Sequence, residues 1–502
     1  MQRKILIFAF IFLLSRFFLI NPQPVFFDSP EYIQRLSNQS FFQGIYLGHI
    51  PLHLGYIVLF WPIYHIFSFL KQDPIFFVLF LQSIISLLGV LSFYKIIEFI
   101  SSKRIAFLSL IIISFLPLFW ITNVSLMMEG VYLPFFFISI YFLTKYLRNN
   151  NLLNILLFSF FWGFSFLTHS AILLWTPFIL FLIYIKDKKS IKVFTVFFIF
   201  TFILFSLINA FFVSTLTNTN IFQGLSDFYL KPLEAKASLS FSFSSFAIFL
   251  RNLFIPLLRN NTSVIVILSI FSLFSLFKKN KQIFILLSLW ILPSLITNQW
   301  WDSLFFGRHA LIASFAFAFL VSNLIYKHKF AILFVIFYLS ITVIPAILFI
   351  KSDIPYLVLK NEVKNLPSGG LYIESHFARP QLENAYSGSQ YFVDEPSYAN
   401  INLKKNIDNT LSKNLPGYIS SQALSEPYGL YSGPYIHNLG LSYKNDYILK
   451  KVIENYTLKP YKIINYKDNL IIYKINSHDN SSYPKVQSMK DANKLFNKIC
   501  IE

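Results

Sequence analysis

Cysteine is almost missing from this chain. Cys500 is the only one in 502 residues, so neither an intrachain disulfide nor a thiolate metal cluster can form. Charge is scarce as well: 13% of residues are charged, against about 25% in ordinary soluble domains. Acids are rarest of all, and residues 1–350 hold only Asp28, Glu31, Asp73, Glu98, Glu129, Asp187, Asp227, Glu234 and Asp302. The chain also lacks an internal repeat, a glycine loop able to cradle phosphate, and paired ligands at zinc spacing.

Apolar and aromatic residues fill the space, at 55% and 19% of the chain. They fall in runs of about 17–24 residues, each ended by Lys/Arg or Pro/Asn, the pattern of a polytopic helical membrane protein. Spans are expected at 4–20, 75–97, 105–121, 131–147, 152–168, 170–186, 191–213, 262–277, 283–298, 309–326 and 330–350. The segments 51–70 and 246–258 are ambiguous. If both crossed singly, Lys103-Arg104, Arg148 and the Lys186–Lys192 cluster would lie outside. If both instead lie along the outer interface or dip in and return, the basic loops from Arg3/Lys4 to Lys327/Lys329 all fall inside. Seven of the nine acids, all but Glu98 and Asp187, then fall outside. The positive-inside rule selects this second arrangement. Arg251 agrees with it, since an arginine costs less at an interface than at mid-bilayer.

The expected protein therefore has about 11 spans plus outer-face interfacial helices. Its N-terminus is cytoplasmic, an uncleaved signal-anchor, and its C-terminus lies beyond the outer face of the cytoplasmic (inner) membrane. The net charge of +19 follows from this loop pattern and implies anionic lipid headgroups as partner, not nucleic acid. Composition changes near residue 351. The last 152 residues hold 18 of the 42 basic and 14 of the 23 acidic residues, with Pro, Gly, Asn and Ser between short apolar runs. Residues 351–502 read as an extracytoplasmic soluble α/β domain. Its expected strands are at Leu371-Tyr372-Ile373, Tyr391-Phe392-Val393 and Leu470–Tyr473, and its expected helices near 445–456 and 488–499.

The outer loops collect the residues able to do chemistry. The first holds Asp28, Glu31 and Tyr32, then His49 and His53 around Pro51-Leu52. Asp28-Ser29-Pro30-Glu31 is also good N-capping chemistry for a helix. The second loop holds Glu129, which also reads as a first-turn acid favoured by the helix dipole. His169 sits between two spans. A long loop, 214–260, carries Asp227, Tyr229, Lys231, Glu234 and Lys236, and the loop near 300 carries Trp300, Trp301, Asp302 and Arg308. Arg308 before a helix opposes the dipole unless a phosphate sits there; the alternative is an ion pair with Asp302. His49 and His53, four apart, would share one face of a helix and could join Asp28 or Glu129 around a divalent metal ion, or hydrogen-bond lipid or sugar.

An Asp-containing first outer loop, the Gly48-His49-Ile50-Pro51-Leu52 entry to an interfacial segment, an acid in the second outer loop and Gly307-Arg308 before a late helix resemble the GT-C superfamily of membrane glycosyltransferases. In pattern the chain is similar to protein O-mannosyltransferases, aminoarabinose transferases and Rgt-type bacterial sugar transferases. The resemblance covers residues 1–350 in layout and implies a GT-C-like catalytic domain. It further implies a polyprenyl-phosphate sugar donor and a glycan, lipid or protein acceptor on the outer face. Asp28 stands where such enzymes carry the catalytic aspartate, and Glu129 where they carry the second-loop acid that orients the acceptor or helps hold a divalent ion. Arg308, His169 and Lys231 would contact the donor phosphate, with Glu31, Tyr32, His49 and His53 toward acceptor or sugar. Many such enzymes have Asp-Glu where this chain has Asp28-Ser29, which leaves the second carboxylate's role open. Two rival readings differ in where charge should lie. A transporter or flippase puts ionisable groups near the midplane and repeats its halves. A lipid-linked glycan polymerase or ligase leans on arginine and histidine in a large outer loop.

Overall fold

A computed structural model describes residues 2–23, 29–48, 52–234, 263–300, 311–328, 330–351, 355–375, 378–393, 399–421, 423–424, 456–465 and 470–477. The chain divides into two units, the first Met1–Lys351 and the second from Ser352 onward, apart from a short stretch outside the described residues.

Local chemistry sets the helix ends of the first unit. After α1 (Gln2–Phe17), α2 (Ser29–Ser37), α3 (Phe41–Tyr46) and α4 (Leu54–Phe69), Asp73 opens α5 (Pro74–Ile100). Its carboxylate accepts from the Ile75 and Phe76 amides, and Pro74 needs no amide partner at the first helical position. Ser102 caps α6 (Lys103–Ser114) and Asn151 caps α9 (Leu152–Thr168) in the same way. Asn150 and Asn218, both left-handed at φ 52°, stop α8 (Glu129–Asn149) and α11 (Ser190–Thr217). A 3₁₀ turn, Ser170–Trp175, leads into α10 (Thr176–Lys186). The series continues with α12 (Ile221–Glu234), α13 (Ser263–Lys279), α14 (Lys281–Trp300), α15 (Leu311–Ile325) and α16 (Ala331–Ile350).

Each of the eleven apolar runs is thus helical. By length and composition four helices among the described residues can cross a membrane: α5, α8, α11 and the stretch Ala331–Leu348 of α16. Large apolar side chains face outward on them, Val196, Phe200 and Ile332 each being more than 60% exposed. Such surfaces belong in lipid. Several other expected spans are shorter apolar helices, such as Leu152–Thr168 and Leu311–Ile325.

Two expectations need correction. Residues 105–121 are not one straight span. They break into α6 and α7 (Pro117–Val124), bent by 64°. Pro117 has no amide to continue the helix and holds Leu116 extended at ψ 123°. The buried Arg16 guanidinium, stacked on Phe12 and Trp120, donates to the freed Ser114 carbonyl. The supposed long loop from residue 214 is instead the end of α11 and then α12, which folds back against it and bonds Tyr229 to Ser206 at 2.6 Å. Segment 51–70 contains α4, and 246–258 lies outside the described residues.

The second unit holds a five-stranded sheet in the order β2-β1-β3-β5-β4. The strands are β1 (Leu371–Ser375), β2 (Ser389–Val393), β3 (Gly417–Ser420), β4 (Tyr456–Ile464) and β5 (Leu470–Ser477). β1 runs parallel to β2 and β3, and β5 is antiparallel to β3 and β4. The helix Ala399–Ser412 sets Leu403 and Ile407 into a core with Ile373, Ile419, Leu458, Ile471 and Ile475. The three expected strands coincide with β1, β2 and β5. The helix expected near 445–456 lies outside the described residues except at its end, where Tyr456 opens a strand instead. The one near 488–499 lies outside altogether.

Candidate active site

Glu129 is the first residue of α8 and is completely buried. Its position depends on how the backbone just before it is held. The bend at Pro117 turns α7 back, and Gln82 on α5 reaches across to grip that helix end. Its side-chain nitrogen donates to the Thr122 and Ser125 carbonyls, each at 2.8 Å, and its oxygen accepts from the Tyr56 hydroxyl at 3.2 Å. These are carbonyls that the end of a helix leaves unsatisfied, so one buried amide ties α4, α5 and α7 together. Gly130 is needed for the close approach: a Cβ there would lie 2.5 Å from the Gln82 amide nitrogen and 2.6 Å from the Thr122 oxygen.

The first loop converges on the same place. Ser29 opens α2, and its hydroxyl donates to the Leu126 carbonyl at 2.9 Å, three residues before Glu129. Tyr32, one turn on, packs its ring 4.5 Å from that of Tyr56, and Tyr56 lies within electrostatic reach of Glu129. His53 follows in a left-handed conformation at φ 48° and bonds through Nδ1 to the Thr168 carbonyl at 2.9 Å. Its ring stacks at 5.9 Å on His169, which in turn lies 4.7 Å from Tyr132 of α8. The Ala171 amide donates to Nδ1 of His169, fixing that ring.

Tyr32, His53, Glu129 and His169 are therefore linked through the Tyr56 and Tyr132 rings, at α2, the approach to α4, the start of α8 and the α9 end. Glu31 pairs with Arg35 at 3.2 Å. Arg35 is fully buried and donates to the Gly44, Ile45 and Leu52 carbonyls, so it ties α3 and the approach to α4 to α2. The shared-face reading of His49 and His53 needs correction. His53 precedes α4 in a left-handed turn and is not helical, and His49 lies outside the described residues. Asp28 and Arg308 also lie outside them; Lys231 falls on α12, its side chain outside the described part. Sequence reasoning missed Gln82, Tyr56, Arg35 and Tyr132. The signal for Gln82 was available, because a carboxamide inside an otherwise apolar span needs a partner.

A family model, dolichyl-phosphate-mannose-protein mannosyltransferase, matches residues 56–212. That stretch covers α4 through α11 and includes Gln82, Glu129 and His169. Solved structures are similar at low identity. The oligosaccharyltransferase of Archaeoglobus fulgidus, in complex with Zn and sulfate, aligns at 13% identity and a TM-score of 0.52, over 91% of this chain and 72% of the archaeal one. ArnT from Cupriavidus metallidurans in the apo state aligns at 9% identity and a TM-score of 0.50, over 94% and 98% of the two chains. No curated protein matches the sequence. The chain shares the fold of these two structures. Its apolar helices make it a multi-pass membrane protein.

A relative solved with Zn raises the question of a metal here. No three His, Cys, Asp or Glu residues come together as ligands among the described residues. Glu129 offers one buried carboxylate, and Asp28 lies outside the described residues.

Proposed function

We propose that this protein transfers a sugar from a polyprenyl-phosphate donor to an acceptor hydroxyl at the outer face of the cytoplasmic membrane. The N-terminus is cytoplasmic and the second unit extracytoplasmic in this reading. The observation that carries it is the bond from Ser29 to Leu126. It joins the start of α2 to the loop that delivers Glu129, two segments about a hundred residues apart in sequence.

The chemistry follows from the residue types. Asp28 takes the proton of the acceptor hydroxyl while that oxygen attacks the anomeric carbon. The bond from the anomeric carbon to the phosphate oxygen breaks, its electron pair leaves with the phosphate, and the sugar inverts in a single displacement. Negative charge grows on the leaving phosphate, and Arg308, His169 and Lys231 are its partners. Glu129 orients the acceptor, with Glu31, Tyr32, His49 and His53 lining the sugar side. The support for Glu129 in this role is its complete burial at a helix start, where a carboxylate is held rigid and little solvated.

The test is sugar release or transfer by the purified full chain in detergent, with a panel of short-chain polyprenyl-phosphate sugars. Asp28→Asn is expected to lower turnover by about 10²–10⁴-fold, the usual contribution of a general base, while gel filtration remains unchanged. Turnover that survives the substitution removes Asp28 as base. Failure of the wild type to bind any of these donors would refute the donor class.

A further inference from the structure

A polar pocket lies at the opposite end of α8 from Glu129. Arg148 is 19 residues further along this helix, which at 1.5 Å per residue is about 28 Å away. The cavity has a volume of about 210 Å³ and is lined by Lys95, Tyr141, Thr144, Lys145, Arg148 and Asn149. It sits where α5 and α8 both end.

The charge there is unbalanced. Lys95 is neutralised by Glu98 at 2.8 Å, and Glu98 also faces Lys103 at 3.9 Å. Lys145 and Arg148 have no carboxylate partner among the described residues, nor has Lys186 at the end of α10. Arg148 and Lys186 crowd onto the same ring, Phe99, at 4.9 and 4.7 Å, within electrostatic reach of each other. Lys145 lies over Tyr141 at 5.6 Å. Helix-end dipoles and the positive-inside rule favour cations here. Neither favours packing two against one ring, a repulsion that a bound anion would relieve. Beyond Asn149 the first turns of α9 expose Leu152, Leu153 and Leu156, each by 50% or more. An apolar strip therefore adjoins the cationic pocket.

We propose that this pocket binds the phosphodiester of an anionic phospholipid, with the phosphate held by Lys145 and Arg148 and an acyl chain along Leu152, Leu153 and Leu156. The guanidinium of Arg148 offers two parallel donors to phosphate oxygens, and Lys145 adds a point charge. Tyr141 and Asn149 remain for the glycerol side. Basic pockets between helices at this level of a membrane suit lipid phosphates in general.

Native mass spectrometry of the full chain tests this, after exchange into detergent holding phosphatidylglycerol and phosphatidylcholine at equal concentration. The wild type is expected to retain one phosphatidylglycerol in preference to phosphatidylcholine. Lys145→Gln with Arg148→Gln is expected to weaken that retention tenfold or more. Lys278→Gln with Lys279→Gln removes the same charge elsewhere and is expected to leave it unchanged. If the double variant does not fold, Lys145→Gln alone is expected to weaken retention at least threefold. Equal loss from the two charge-matched pairs would overturn the proposal, as would equal retention of both lipids. Inorganic phosphate added alone separates the sources: a site that takes it as tightly as phosphatidylglycerol is a free-phosphate site, and the lipid assignment fails.

Discussion

Replacing Gln82 by leucine removes a side chain of similar size together with three hydrogen bonds. The Thr122 and Ser125 carbonyls and the Tyr56 hydroxyl lose their partner in a place with 0% exposure for Gln82. A buried group left unsatisfied costs about 1–3 kcal/mol, so the three together cost about 3 kcal/mol at the least. The two carbonyls belong to the α7 end and the turn that sets where Glu129 enters α8. Their release therefore moves the candidate acid as well as weakening the fold. A displacement of 1 Å at a catalytic centre lowers the rate about 10²-fold. Thermal unfolding in detergent and donor turnover are the two readouts, with Tyr56→Phe as the milder companion that frees only the Gln82 oxygen. The two substitutions should be non-additive by about 0.5–3 kcal/mol, because they share one network. A Gln82→Leu protein with unchanged melting and turnover within twofold of wild type would refute the argument that this amide sets the α7–α8 turn.

Arg35→Lys should destabilise by about 2–4 kcal/mol, since an ammonium cannot reach Gly44, Ile45, Leu52 and Glu31 at once. Unfolding and protease cleavage within residues 38–53 would report it, and wild-type resistance would count against the tether. Gly130→Ala should cost several kcal/mol, because its Cβ meets a backbone oxygen at 2.6 Å. Gly417→Ala, whose nearest neighbour is Ile475 Cβ at 3.4 Å, should cost under about 1 kcal/mol. A reversal of that order in melting temperature would contradict the packing described. Burial pushes the Tyr473 phenol up to about 12, above its ordinary value near 10. The folded state thus keeps a proton that the unfolded state gives up, so stability is full below pH 10 and falls as pH rises from 10 to 12. The phenolate absorbance lost in Tyr473→Phe should titrate near 12, and a midpoint near 10 would contradict the burial.

Apolar run length and local capping made the helices legible. Asp73-Pro74, Ser102 and Asn151 open helices because each side chain reaches amides two or three residues on. Likewise Leu371–Ile373 and Leu470–Tyr473 could be read as strands from short β-branched and aromatic runs alone. The candidate site was drawn in the sequence from acids and histidines stranded at helix ends, among them Glu31, Glu129, His53 and His169. What the sequence left hidden was the set of partners. Gln82, Arg16 and Arg35 satisfy carbonyls freed by a bend at Pro117, a broken helix end and the turns near residues 44–52. Those breaks are nearest neighbours only after the helices pack, and nothing local in the chain distinguishes a polar side chain that grips a distant carbonyl from one that faces water. Composition and spacing determined the long apolar helices and three of the five strands. Only the tertiary structure decided which helix breaks meet which buried donors, because a carbonyl in a low-dielectric interior selects its partner by geometry rather than by distance along the chain.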